Sequence, residues 1–334
     1  MPAEWTPGPR NAITDVPGIR VGHWTDRRAA TGCTVIRCEA SQFVAVDARG
    51  GAPGSRETDV LSGENVVRRA HAILLTGGSA FGLSAADGVM RWCEEHEIGF
   101  PTTVRHVPIV SAAVLFDLGI GDAKAHPGPE AGYAAAAAAR GGRVAEGNVG
   151  AGAGATVAKL LGPERALKAG LGTASVTGPR GIVVGAIAAT NAVGLITDPE
   201  TGELVAAPRE DGAGFITLAD AVPRRQARME ALLENTTLVT IATNATLQHH
   251  QLQRVAMNAH DALARTIVPA HTFSDGDTVF AIGMGGIEPQ PDDPLIVGIL
   301  AMRAVEQAIL RSVRLARGAK GVPSAAEWLA NSHP

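Results

Sequence analysis

The chain combines a large apolar fraction with very few aromatic residues, and this combination constrains its core more than any single motif does. Hydrophobic residues make up 46% of the 334 residues, whereas aromatic residues make up only 4% and glycine occurs 40 times. Small aliphatic side chains must therefore fill the core, and layers built from them approach one another closely. We expect a large folded core in which layers of helix and sheet make tight contact.

The charge balance restricts the kind of partner that the chain can bind. Twenty-nine basic and 33 acidic residues give a formal charge of −4, which argues against nucleic acid or an anionic membrane as partner. The longest apolar stretch, residues 181–196, is interrupted by Thr190 and Asn191 and is too short to cross a bilayer. The sequence therefore predicts a small-molecule partner and no membrane association.

The cysteines and the N-terminal segment predict a reducing, cytoplasmic location. Cys33, Cys38 and Cys93 are odd in number and lack the spacing of a metal site, so we expect neither a disulfide framework nor bound metal. The first ten residues include Glu4 and Arg10 and lack the apolar stretch of a signal peptide.

We predict one domain, residues 1–334, because neither a linker nor a step in composition marks a boundary. β-Rich runs predict strands at residues 43–46, 73–75, 107–115, 174–177, 182–196, 238–243 and 278–282. Helical patterns cover residues 82–95, 130–140, 218–233, 247–267 and 294–317. This alternation predicts an α/β layered architecture whose topology the pattern alone leaves open.

Two of the predicted helices carry more specific expectations. The last one has Asp293 placed as N-cap and Pro294 in its first turn, and its midsection is apolar nearly all round. Such a helix is expected to lie between layers or against another subunit. His249 and His250 begin the preceding helix, and we expect both on the surface.

Two glycine-rich motifs indicate turns rather than known binding loops. Gly150, Gly152 and Gly154 precede Lys159, but this lysine has neither the preceding glycine nor the following Ser/Thr of a phosphate-binding loop. Ser79 in GGSAFG lacks the GxSxG spacing of a nucleophile elbow. We expect a tight turn at the first motif and a turn before a helix at the second.

Thr236 follows Asn235 where a predicted helix gives way to a predicted strand. A threonine hydroxyl becomes a useful nucleophile when the residue's own free α-amine, with a pKa of about 7.7, accepts its proton. An internal threonine has such an amine only if the chain cuts itself before it. Taken alone, the dipeptide favours the simpler interpretation, a helix stop followed by a β-branched strand start.

The surrounding segments decide between these readings, because they resemble the self-processing L-aminopeptidase/D-esterase family, which includes β-peptidyl aminopeptidases and a nylon-oligomer hydrolase. The resemblance covers most of the chain in family order. The matching segments are AITDVPGIRVGHWT, VDARGGAPGSRETDVL, LTGGSAFGL, VGAGAGATVAKLLG, ATNAVG, NTTLVTIATNA and HTFSDGDTVFAI.

The resemblance implies a role for three residues. It makes Thr236 the nucleophile, freed by cleavage after Asn235 into residues 1–235 and 236–334. It places Asn191 as the amide donor to the oxyanion. Lys159 matches a lysine of the nylon-hydrolase branch, where a cation stabilises the oxyanion or lowers the pKa of the amine; its alternative is a solvated helical lysine.

The resemblance also assigns Asp275 and Asp277 to the pair that holds the nucleophile's amine and hydroxyl. On an extended stretch, side chains two residues apart share a face, so both carboxylates are expected to reach the new terminus. One position departs from the family. Phe116 replaces a tyrosine of characterised relatives, and the chain's single tyrosine, Tyr133, lies in an alanine-rich helix.

The resemblance implies a four-layer αββα sandwich like that of N-terminal-nucleophile hydrolases, with its own connectivity, and a homo-oligomer, a tetramer of cleaved protomers. The implied activity is hydrolysis of small peptides or peptide-like amides through an acyl-enzyme, without metal or organic cofactor. Two alternatives stay open. One is acyl transfer to an amine, as in ornithine acetyltransferases; the other is a non-catalytic metabolite-binding protein of the same fold.

Overall fold

A computed structural model describes residues 6–212, 214–225 and 235–331. The helices are α1 (Ala85–Glu95), α2 (Pro129–Ala138), α3 (Leu218–Arg225), α4 (His249–Thr266), α5 (Asp293–Arg314) and α6 (Ala325–Asn331). The strands are β1 (Arg20–Asp26), β2 (Thr31–Arg37), β3 (Phe43–Ala48), β4 (Ser55–Arg56), β5 (Ala72–Thr76), β6 (Phe100–Pro101), β7 (His106–Val107), β8 (Val110–Val114), β9 (Thr156–Val157), β10 (Leu167–Lys168), β11 (Leu171–Thr177), β12 (Val183–Asn191), β13 (Leu195–Thr197), β14 (Leu204–Ala206), β15 (Thr236–Ala245), β16 (Ile267–Val268) and β17 (Thr278–Ile287).

Two five-stranded sheets form the centre of the fold. The first has the strand order β1-β2-β5-β8-β4 and the second the order β11-β12-β15-β17-β3. Neighbouring strands are antiparallel except for one parallel pair in each sheet, β5 with β8 and β15 with β17. The central strands are buried on both faces, which explains their nearly continuous apolar sequences.

The two sheets and four of the helices stack into four layers. Helices α1 and α2 cover the outer face of the first sheet, and α4 and α5 cover that of the second. Between the sheets, residues such as Ile73 and Leu75 share a core with Ile187, Leu238 and Phe280. The predicted αββα sandwich is therefore confirmed.

Small residues bring the layers close together, as the composition predicts. A Cβ at Gly172 in β11 would lie 2.1 Å from the carbonyl oxygen of Ala308 and 2.4 Å from the amide nitrogen of Ser312. Only glycine lets helix α5 pack this closely on the strand.

Helix α5 packs on β11, β12 and α4, which explains its extended apolar surface. Its start differs from the prediction: Asp293 is the first helical residue instead of the N-cap, and its carboxylate accepts a hydrogen bond from the Gln290 backbone N–H at 2.9 Å.

None of the helices in the three described ranges is long and apolar enough to cross a membrane.

Three other local predictions have different outcomes. The predicted β-rich run 182–196 forms two strands of different sheets, β12 and β13. His249 is buried, and its Nε2 contacts the carbonyl oxygens of Val44 and Leu61 at 3.2 and 3.0 Å, so its surface assignment was wrong. Helix α3 covers the first part of the predicted helix 218–233, and residues 226–233 lie outside the described residues.

Candidate active site

Strand pairing brings the predicted site residues to one edge of the second sheet. The antiparallel register of β12 and β15 sets Asn191, the last residue of one strand, opposite Thr236, the first residue of the other. Because β15 and β17 are parallel, their first residues meet at the same edge. Asp277 directly precedes β17 and therefore lies at this edge too.

Thr236 is buried, with 5% of its surface exposed, and its hydroxyl donates to the carbonyl oxygen of Asn235. The same carbonyl oxygen accepts the backbone N–H of Gly276 at 2.9 Å. A carbonyl that accepts two donors is polarised, and a backbone N–H in this position is suited to stabilise an oxyanion on that oxygen. Gly276 is therefore a candidate site residue that the sequence did not point to.

The side-chain amide of Asn191 is fully buried and has a fixed orientation. Its Oδ1 accepts from the backbone N–H of Thr156 and from Lys159 Nζ, both at 3.0 Å. Since the oxygen faces these donors, the amide nitrogen must point the other way, where it donates to the Phe116 carbonyl at 3.0 Å. The amide thus presents its N–H side away from Lys159.

Lys159 lies in the loop after β9, so the alternative of a solvated helical lysine is wrong. Its ammonium is half-buried and donates to both oxygens of Asn191, the side-chain Oδ1 at 3.0 Å and the main-chain oxygen at 3.1 Å. Its charge also acts on Asp275 and opposes the rise in the pKa of that carboxyl. The lysine therefore holds the amide in place and lends positive charge to the site.

Asp275 and Asp277 are both buried but contact different groups. Asp275 Oδ2 accepts from the Thr272 amide at 2.8 Å and from its hydroxyl at 2.6 Å. Asp277 Oδ1 accepts the backbone N–H of Thr237 at 2.7 Å. Burial and the negative charge of Asp277 raise the pKa of Asp275 above its usual value, so Asp275 takes up a proton more readily than an exposed aspartate.

Phe116, which stands where the resemblance implies a tyrosine, lies beside Asn191. Its main-chain carbonyl contacts Asn191, and its side chain lines a cavity of about 80 Å³ together with Thr156 and Lys159. The phenylalanine ring offers no hydroxyl at this position.

Lys168 supports the loop that carries Thr156 and Lys159. This lysine is fully buried and donates to three backbone carbonyls, those of Gly152 at 3.1 Å, Ala155 at 2.9 Å and Ala169. Burial lowers the pKa of Lys168 to about 7, against the attraction of the Asp117 charge. The preceding glycines form a short turn, Gly150–Gly152, as the sequence predicts.

Replacing Lys168 with methionine is expected to lower the free energy of unfolding by roughly 2–5 kcal/mol, because three buried carbonyls lose their donor. The folded-state pKa of about 7 lies below the 10.5 that is usual for a lysine side chain in water. Wild-type stability should therefore rise relative to Lys168→Met as the pH rises from 7 towards 10. Urea unfolding across this pH range measures both effects.

The matched control is Lys124→Met, since Lys124 is exposed on a loop. It should unfold at the wild-type urea concentration. Equal stability of Lys168→Met and Lys124→Met would show that the buried ammonium does not support the loop.

Comparison with known proteins decides the family. The profile of peptidase family S58 matches residues 11–326. The chain belongs to peptidase family S58. An uncharacterised aminopeptidase of Mycobacterium leprae (strain TN) is 44% identical over 95% of this chain and 93% of its own length. A 6-aminohexanoate-oligomer endohydrolase of Kocuria sp. (strain KY2) is 32% identical over 80% of this chain and 73% of its own length.

Solved structures show the same fold at lower sequence identity. An L-aminopeptidase D-Ala-esterase/amidase from Ochrobactrum anthropi, described as a new variant of the Ntn hydrolase fold, matches with a TM-score of 0.74 and 22% identity, covering 97% of this chain and 91% of its own. A Burkholderia sp. beta-aminopeptidase matches with a TM-score of 0.72 and 24% identity, covering 99% and 95%. This S58 member is thus a hydrolase of peptide or amide bonds with an Ntn-type fold.

Proposed function

We propose that this S58 member is a self-processing amidohydrolase whose nucleophile is Thr236, released by cleavage after Asn235. The observation that carries the proposal is the contact of the Thr236 hydroxyl with the Asn235 carbonyl, which also accepts the Gly276 N–H at 2.9 Å. Nucleophile, carbonyl and oxyanion donor thus lie together before any cleavage.

Self-cleavage begins when Thr236 Oγ1 attacks the Asn235 carbonyl carbon, and the Gly276 N–H stabilises the oxyanion that forms. Asp275 is the proposed acceptor of the hydroxyl proton, because its carboxylate is buried in this site and burial and the Asp277 charge raise its pKa above the usual value. The C–N bond breaks as the Thr236 nitrogen takes up a proton, which leaves an ester. Water then hydrolyses this ester into the Asn235 carboxylate and a free N-terminal threonine.

The freed threonine acts on substrate by the same chemistry. Its α-amine accepts the hydroxyl proton while Oγ1 attacks the substrate carbonyl, and the proton passes to the leaving amine. The Asn191 amide, oriented by Lys159 and Thr156, donates to the oxyanion. Water then releases the acyl group, which regenerates Thr236.

The proposed substrates are small peptides or peptide-like amides, in keeping with the aminopeptidases and the 6-aminohexanoate-oligomer endohydrolase among the relatives. A panel of α-peptides, β-peptides, D-amino-acid esters and ω-amino oligomers tests the class. Adding an amine acceptor to the same assay separates hydrolysis, which releases free acid, from acyl transfer. We further propose that the enzyme works in the cytoplasm as a tetramer of cleaved protomers, which sedimentation of the processed protein tests.

Gly276→Ala is expected to slow self-cleavage severely. A Cβ at this position would lie 2.7 Å from Thr236 Oγ1 and 2.9 Å from the carbonyl oxygen of Ala52, closer than real Cβ contacts occur. The added methyl group must displace either the hydroxyl or the N–H that polarises the Asn235 carbonyl. A time course on denaturing gels should show the full-length chain persisting where the wild type has been converted to two fragments.

Gly141→Ala is the matched control, because the nearest atom to a Cβ there is the Ile19 carbonyl oxygen, 4.0 Å away. It should process at the wild-type rate. Normal processing of Gly276→Ala would show that the Gly276 amide and the Thr236 hydroxyl do not form the cleavage geometry.

A further inference from the structure

His271 is bonded to Asp277 through both its backbone and its ring. The His271 amide nitrogen lies 3.0 Å and the ring Nδ1 2.9 Å from Asp277 Oδ2. The other carboxylate oxygen accepts the Thr237 N–H at 2.7 Å. A continuous chain of hydrogen bonds thus connects the imidazole to the residue next to Thr236.

Both ring nitrogens of His271 face acceptors. Nδ1 faces the Asp277 carboxylate, and Nε2 lies 3.4 Å from the main-chain carbonyl oxygen of His260. A neutral imidazole has one donor nitrogen, whereas the imidazolium has two. The arrangement of acceptors therefore favours the charged ring.

The charged groups around His271 agree with this reading. Burial disfavours the imidazolium, but the hydrogen bond to Asp277 and its negative charge outweigh burial and raise the pKa of His271 above its usual value, against the Arg49 charge. The His260 ring packs against it at 4.7 Å, and burial lowers the pKa of His260 to about 4, so that ring is neutral at physiological pH. Asp47, which contacts His260 and pairs with Arg49, is a further acidic group on this side.

We propose that His271 is a positioning residue whose imidazolium neutralises Asp277 and so keeps the α-amine of Thr236 in the free-base form that catalysis needs. The inference rests on the proposed function, because it requires that amine to exist. Sequence analysis did not point to this histidine, although it stands in the same HTFSDGDT segment as the two aspartates.

The sign of the effect follows from the two carboxylates. Asp275 and Asp277 both favour a protonated amine, and a protonated amine cannot accept the hydroxyl proton. The imidazolium cancels one of these negative charges. Without the imidazolium, the α-amine loses its proton only at higher pH. The acidic limb of the pH profile of kcat/KM therefore shifts to higher pH.

The variant His271→Asn tests the role of the imidazolium charge most specifically. The His271 backbone has a φ of 55°, a left-handed conformation that asparagine tolerates. The asparagine Nδ2 takes the place of the ring Nδ1 and donates to Asp277 without carrying a charge. We expect this variant to yield two fragments as the wild type does. The acidic limb of its pH profile of kcat/KM should lie about one pH unit or more higher than that of the wild type.

His250→Asn is the matched control, because His250 is exposed on α4. This variant should keep the wild-type pH profile of kcat/KM. A processed His271→Asn enzyme whose acidic limb stays in place, whether or not its activity falls uniformly, would overturn the proposal and leave the self-processing mechanism intact. An active wild type that is never cleaved would instead refute the proposed function itself.

A measurement on the wild type keeps the inference testable if His271→Asn does not fold or process. ¹⁵N NMR of the processed enzyme should find that both ring nitrogens of His271 stay protonated to a higher pH than those of the exposed His250. A His271 ring that becomes neutral at a lower pH than His250 would overturn the proposal.

Discussion

Thr236→Ala is expected to remain a single 334-residue chain and to lose amide hydrolysis by at least roughly 10,000-fold. The substitution removes the hydroxyl that contacts the Asn235 carbonyl, so no ester forms and no free α-amine appears. Thr236→Ser keeps a hydroxyl in the same place and should recover processing and part of the activity. Denaturing gels and an amide-hydrolysis assay measure both properties.

Thr240→Val serves as the control on the same strand, because the buried Thr240 hydroxyl has no hydrogen-bond partner among the described residues. It should be processed and active like the wild type. A Thr236→Ala chain that still hydrolyses amides would show that another residue is the nucleophile.

Asn191→Ala should separate the two reactions. In the proposed mechanism the Gly276 N–H is the oxyanion donor for self-cleavage, so this variant should still yield two fragments. The Asn191 amide is the proposed donor in substrate turnover, so kcat should fall about 100- to 1,000-fold with a smaller change in KM. Steady-state kinetics on the processed variant measure the loss.

Asn244→Ala is the control at the opposite end of β15, where the Asn244 amide bonds Val183 and Gly181. It should lose stability but retain kcat. Unchanged turnover in Asn191→Ala would contradict the assigned donor, and failure to process would show that Asn191 also acts in self-cleavage.

The layered fold was predictable because the composition and the hydrophobic periodicity of the sequence both indicate packed layers of helix and sheet. A core of small aliphatic residues implies closely packed layers, and α5, apolar nearly all round, packs on a sheet and on a second helix. The burial of individual side chains was harder to predict from the sequence. His249 has an ordinary helix-start sequence, and its burial depends on the distant carbonyls of Val44 and Leu61.

The site was predictable only in part. Resemblance to a family singled out Thr236 and Asn191, and the register of β12 with β15 places them opposite one another. The proposed roles of Gly276 and His271 rest on contacts that the sequence does not show: a backbone N–H on the Asn235 carbonyl, and backbone and ring contacts with Asp277 within one loop. The first depends on how β15 and β17 align and the second on the conformation of the loop, and no local pattern in the sequence specifies either.

The Thr236 nucleophile is tested most directly by intact-mass spectrometry of purified, active wild-type protein. We expect two species whose masses correspond to residues 1–235 and 236–334. A single species with the mass of the uncut chain, in a preparation that hydrolyses amides at its full rate, would contradict it.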